Sequence, residues 1–202
     1  MTTLSLSTTN VAAGTAFKLE TSSLPGGSLA LVVGAAPPTR YLRLTDVKAD
    51  TGLPLLTATA ATTVPGITRT AGTSMVLTGA ATSGATPATT KMFWEFDLPD
   101  TYVSGAAIPV LVNTVVATAT DVTAASTTTT VAAYTEINGV ETALTVSAAQ
   151  QTPITTAATL TFSITGTGLV AGAHLAIEVT SLVTTTVGGA SSMALNSIGY
   201  QA

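Results

Sequence analysis

The sequence has no cysteine, one histidine (His174) and one tryptophan (Trp94), and only 8% of its residues are charged, against about 25% in an average globular domain. The absence of cysteine excludes a disulfide framework and zinc fingers of any common spacing. The six basic residues are scattered, without clusters or interleaved aromatics, so no nucleic-acid partner is expected. No apolar run approaches the roughly 20 residues that span a bilayer. The longest, residues 29–36 and 108–119, are short or broken by proline and threonine, and no membrane partner is expected. The opening Met1-Thr-Thr-Leu-Ser lacks the basic region and apolar core of a secretory leader, which reads as a soluble chain not exported by the usual route. Catalytic signatures are missing too: there is no Gly-x-Ser-x-Gly, no phosphate-binding Gly-Lys-Ser/Thr, and no Gly-x-Gly-x-x-Gly after a strand. The reading assigns no enzyme activity, no catalytic residue, no cofactor and no metal.

Threonine fills 44 of the 202 positions, and 46% of the chain is hydrophobic. Threonine and valine are stiff at χ1 and fit a pleated sheet better than a helix. No stretch shows sustained helical spacing of apolar residues with caps, whereas many short β-like runs separated by Gly and Pro indicate a sandwich or barrel. The expected fold is all-β, a jelly-roll-like β-sandwich at residues 39–202 preceded by an extended N-terminal arm at residues 1–38, with one strand at 29–33.

Within the expected sandwich, residues 91–98 alternate with period two. Met92, Trp94, Phe96 and Leu98 fall on one face, and Phe93, Glu95 and Asp97 on the other. Residues 78–90 read as a low-complexity Gly/Ala/Thr loop. Residues 108–116 are apolar on both faces, which suits the middle of a sandwich or a subunit contact. Asn138-Gly139 between residues 129–137 and 140–146 predicts a hairpin with a type I′ turn. Further strands are expected at 159–164, with Leu160, Phe162 and Ile164 inward, at 174–180 and at 194–200.

Charge is unevenly placed. Residues 1–91 hold all six bases against three acids, a balance of +3; residues 92–202 hold seven acids and no Lys or Arg, a balance of −7. Such asymmetry suits subunits meeting head to tail, or one part seated on an oppositely charged surface.

Five residue sets invite chemistry, and each has a plainer reading. Glu95 and Asp97 share a strand face at roughly 6–7 Å, the spacing of a glycosidase pair, but they read as a solvated outer face. Glu136 and Glu141 face each other across the hairpin, where like charges repel and leave room for a cation or a neighbour's Arg. The plainer reading is two exposed glutamates. Asp97 and Asp100 resemble no known calcium loop, and Asp100 reads as a turn former. His174 and Glu178 share a face about 13 Å apart, too far to share a metal. Trp94, Phe96 and Phe93 would make a sugar-stacking face, though core packing explains them better. Gly166-Thr-Gly168 reads as a turn.

Residues 93–116, with Leu98-Pro99-Asp100-Thr101-Tyr102 leading through Gly105 to an apolar strand, and Gly168-Leu-Val-Ala-Gly-Ala-His-Leu-Ala-Ile-Glu-Val179 resemble a jelly-roll family of tailed-phage structural modules. Leu195-Asn-Ser-Ile-Gly-Tyr200 is similar to its closing strand. The resemblance spans roughly residues 90–202. The chain departs from it at Gly172-Ala-His174, where an acidic residue often follows the glycine. The resemblance implies a capsid decoration (cement) protein on the exterior of a phage head, commonly a homotrimer over junctions of the major capsid protein. Such a protein is present in the host cytoplasm during assembly. A chain with so few charges also favours self-association, because obligate interfaces are charge-poor. The alternative is a phage tail, receptor- or carbohydrate-binding β-sandwich module.

Overall fold

The computed structural model describes residues 37–49, 65–69, 75–79, 82–83, 88–117, 128–137, 140–147, 150–151, 157–183 and 190–202. The chain divides into two units, Met1–Pro38 and Thr39–Ala202. The expected N-terminal arm and its strand at 29–33 lie outside the described residues, as do the tip residues Asn138 and Gly139.

Thirteen strands are described: β1 (Thr39–Leu42), β2 (Gly66–Arg69), β3 (Met75–Thr78), β4 (Thr82–Ser83), β5 (Ala88–Asp97), β6 (Ile108–Ala117), β7 (Thr128–Ile137), β8 (Val140–Leu144), β9 (Val146–Ser147), β10 (Gln150–Gln151), β11 (Ala158–Ile164), β12 (His174–Val183) and β13 (Ala190–Gln201). One 3-10 turn, Leu44–Asp46, follows β1. All pairings are antiparallel and build two sheets packed face to face. One sheet runs β2-β3-β13-β6-β11-β9, with β1 and β4 also on β13. The other runs β10-β7-β12-β5, with β8 also on β7.

The pairing is nested. The outer strands β1 and β3 meet β13, β5 meets β12, β6 meets β11, and β7 meets β8. A chain folded back on itself about the β7–β8 hairpin, with successive pairs assigned alternately to the two sheets, is a jelly roll. The hairpin has the expected register, Glu136 opposite Glu141 and Ile137 opposite Val140.

Core composition follows strand phase. Met92 and Trp94 from β5, and Leu175, Ile177 and Val179 from β12, meet Ile108, Val110 and Val112 from β6 and Phe162 and Ile164 from β11. Trp94 is 1% exposed, and its indole N–H donates to the Arg43 carbonyl at 3.0 Å. Phe96 stacks on Tyr200 across the two sheets, with ring centroids 4.2 Å apart. The 108–116 stretch does form the middle of its sheet: one face is buried at Ile108, Val110 and Val112, and Leu111 and Val115 on the other are half-buried.

Toward the opposite end the core changes character. Thr90, Thr114, Thr129 and Ser181 are all buried. The Thr129 hydroxyl meets the Met193 sulfur at 3.1 Å, while the buried Thr114 hydroxyl has no hydrogen-bond partner. Thr114→Val keeps the shape and removes an unsatisfied group, so it is expected to stabilise the fold by about 1 kcal/mol; a melting temperature that falls would contradict this.

Several boundaries depart from the sequence reading. Residues 78–90 are not simply a loop: β4 lies within them, and β5 starts at Ala88. Residues 140–146 are not one strand: β8 ends at Leu144, and β9 pairs with β11 in the other sheet. The last strand is longer than expected and carries a bulge between Leu195 and Ser197. The extra residue, Asn196, lets Met193 and Leu195 before it and Ile198 and Tyr200 after it all face inward.

Candidate functional site

On β5, β12 and β7 the positions that alternate with the core residues cover the outer face of the five-stranded sheet. Pairing sets them in rows: Phe93 beside Glu178 beside Ala132, then Glu95 beside Ala176 beside Tyr134. Lys48 joins at the edge through a backbone bridge to Phe93, N–H to carbonyl in both directions at 2.9 and 3.0 Å. Because Ala176 is small and its row neighbours are large, the face dips there. The resulting groove holds about 360 Å³ and is lined by Lys48, Ala49, Lys91, Phe93, Glu95, Tyr134, Glu141, Ala176 and Glu178.

The carboxylates here find partners on neighbouring segments. Lys48 pairs with Glu95, Lys91 Nζ lies 3.4 Å from Glu178 Oε1, and His174 Nδ1 lies 2.8 Å from Asp97 Oδ1. Glu178 also accepts from the Thr180 hydroxyl at 2.7 Å. The exposed Lys48–Glu95 pair contributes roughly 0.2–1 kcal/mol; the larger effect of these contacts is to occupy the carboxylates.

Each candidate set therefore finds a place. Glu95 and Asp97 share the outer face, but each is engaged by its own partner from a neighbouring segment, Lys48 and His174, so they do not converge as an acid–base pair. Asp97 is engaged by His174, and Asp100 sits exposed in the turn after Pro99. His174 and Glu178 lie on one face in separate pairs. Glu136 and Glu141 face each other, both exposed. Among the described residues no group of three or more His, Asp or Glu is placed to hold a metal.

The sugar-stacking face is overturned. Trp94 is sealed in the core and Phe96 is spent on Tyr200; of the three aromatics only Phe93 reaches the outer face. Tyr134, which the sequence reading did not single out, stands at the groove instead. The phase of β7 places it outward, but only the pairing with β12 sets it beside Ala176.

A second feature lies at the end of the sandwich where β5 and β11 finish and β6 and β12 begin. The two connecting segments, residues 98–107 and 165–173, bond to each other. Leu98 N–H donates to the Ala173 carbonyl at 2.9 Å, Gly172 N–H to Leu98 at 3.0 Å, and Gly105 N–H to Leu169 at 3.2 Å. Inside this corner the Tyr102 hydroxyl donates to the Ala106 carbonyl at 2.6 Å, and burial pushes its pKa up from the ordinary tyrosine value. A side chain at Gly166 would put its Cβ 1.9 Å from the Ala106 carbonyl oxygen and 2.3 Å from the Tyr102 hydroxyl. The Gly166-Thr-Gly168 turn is thus a close-packed joint.

Leu98, Tyr102 and Leu169 anchor the corner from below, while Val103 and Val170 stand 72% and 55% exposed above it. The β7–β8 hairpin ends at the same end of the sheet, because Thr135 pairs with Leu175, and it carries Val140, 63% exposed. Among the described residues no helix is long and apolar enough to cross a membrane. No protein-family model and no curated protein sequence matches the chain.

Proposed function

We propose that the chain is a virion structural protein: a capsid decoration (cement) protein that stabilises a phage head by binding, as a homotrimer, across junctions of the major capsid protein on the capsid exterior. It performs no reaction and takes no cofactor. The observation that carries this reading is the rigid corner built from residues 98–107 and 165–173. It holds exposed Val103 and Val170 on a backbone fixed by mutual hydrogen bonds, and two of the stretches that resemble phage structural modules, residues 93–116 and 168–179, overlap these segments. A pre-organised apolar platform loses little on docking, and Glu95 and Glu178 are tied to Lys48 and Lys91.

The test is co-sedimentation with assembled shells and with free shell subunits. Wild-type chain is expected to bind the shells only. Val103→Asp/Val170→Asp is expected to weaken that binding at least tenfold, since burying a valine contributes roughly 1.5 kcal/mol and about 1.4 kcal/mol is tenfold. Failure to bind shells, or binding that ignores both substitutions, contradicts the reading.

A second reading rests on the groove. Phe93 and Tyr134 beside alternating Lys donors and Glu acceptors suit the hydroxyls of a neutral saccharide, as in a receptor- or carbohydrate-binding module of a phage tail. A glycan array without hits removes it.

A further inference from the structure

The three side-chain pairs described above lie on or beside the five-stranded sheet and engage both of the lysines there and most of its carboxylates. Five charges at the lateral edges of the sandwich have no such partner among the described residues; one of them, Asp46, is exposed in the turn after β1 and leaves that edge a net charge of +1 beside Arg40 and Arg43. Arg40 and Arg43 are exposed on and just after β1, which pairs with β13 on one side and carries no other strand among the described residues. Glu136 and Glu141 are exposed at the hairpin whose outer strand, β8, pairs among the described residues only with β7. The edges belong to different sheets and lie on opposite sides: β1 is on the flank where Lys48 borders β5, and β8 is on the flank where β9 meets β7.

Each edge also carries an apolar residue left in solvent, Tyr41 at 71% and Val140 at 63% exposure. Four of the five residues of β8 are exposed, so little within one chain holds that strand down. A net charge on an open edge is a usual guard against edge-to-edge pairing. Here the guards have opposite signs. Two β1 edges repel each other, two β8 edges repel each other, and only β1 against β8 attracts.

We propose that the β1 edge of one copy, with Arg40, Tyr41 and Arg43, docks against the β8 edge of a second copy, with Glu136, Val140 and Glu141. A contact between two different surfaces is heterologous, and repeated with a closing rotation it makes a ring. This deepens the assembly reading above, because it names the surfaces through which the homo-oligomer would form.

The experiment is light scattering after size exclusion on the full chain at low and high salt. An oligomer that weakens with salt is expected. Arg40→Glu/Arg43→Glu and Glu136→Arg/Glu141→Arg are each expected to weaken association at least about a hundredfold, because like charges then face each other. The chain carrying all four reversals is expected to regain the wild-type mass, a rescue that misfolding would not give. Reversals that leave the mass unchanged overturn the edge contact and leave the assembly reading standing. A monomeric wild type that still coats shells overturns this inference and the homotrimer above while leaving the shell contact standing, and a monomer that ignores shells overturns both readings.

Discussion

Gly166→Ala is expected to lower stability by about 3 kcal/mol or more, at the upper end of what overpacking costs. The new methyl would lie 1.9 Å from the Ala106 carbonyl oxygen and 2.3 Å from the Tyr102 hydroxyl. One neighbour is backbone, and the other is a phenol held by its own hydrogen bond to that same carbonyl, so neither yields cheaply. For a domain of this size the melting temperature should fall by roughly 6–12 °C. Gly168 supplies the control. It has φ +82° but nothing within 4 Å of a built Cβ, so Gly168→Ala meets only the left-handed backbone penalty, about 1–2 kcal/mol. Thermal melts in which the two variants fall equally would show that the corner is loose. The rigid platform assigned to Val103 and Val170 would then lose its basis.

Trp94→Ala should cost about 3–5 kcal/mol, the range for emptying a large aromatic site. The indole is 1% exposed and lies among side chains from both sheets. Trp94→Phe separates the two parts of that loss. It keeps a ring in the cavity but removes the indole bond to the Arg43 carbonyl, which retains only the Asp46 N–H, a deficit of about 1 kcal/mol. Denaturant titration resolves them, as a midpoint shift at constant slope. An alanine variant within about 1 kcal/mol of the parent would mean the indole is not core, and would reopen the sugar-stacking face.

Strand phase was legible because it is local. The alternation of Met92, Trp94 and Leu98 against Phe93, Glu95 and Asp97 needs only period two, and it matches the burial of β5. Asn138-Gly139 announced the register that sets Glu136 opposite Glu141. Where a local rule is interrupted, the reading shortened. The bulge at Asn196 breaks the alternation of β13, so only its end was seen. The crossing between β8 and β9 leaves no mark in the alternation of residues 140–146.

The groove was not legible, since it depends on which strands are neighbours. His174 and Asp97 are 77 positions apart, and only the β5–β12 pairing makes them partners. Lys48 reaches Glu95 through an isolated bridge at a sheet edge. One signal was available in retrospect: small Ala176 between outward His174 and Glu178 marks a dip on that face.

The nested pairing also bears on how the molecule comes into being. Strand β13 joins β1, β3, β4 and β6, and its Gln201 meets Thr39 from 162 positions earlier. Contacts so distant along the chain make for slow folding. A ribosome must deliver the segment through Gln201 before β1 and β6 have their shared neighbour, so the eight-stranded sheet closes only after synthesis of that segment, and a nascent chain stalled before Ala190 would hold two unmatched borders open to its surroundings.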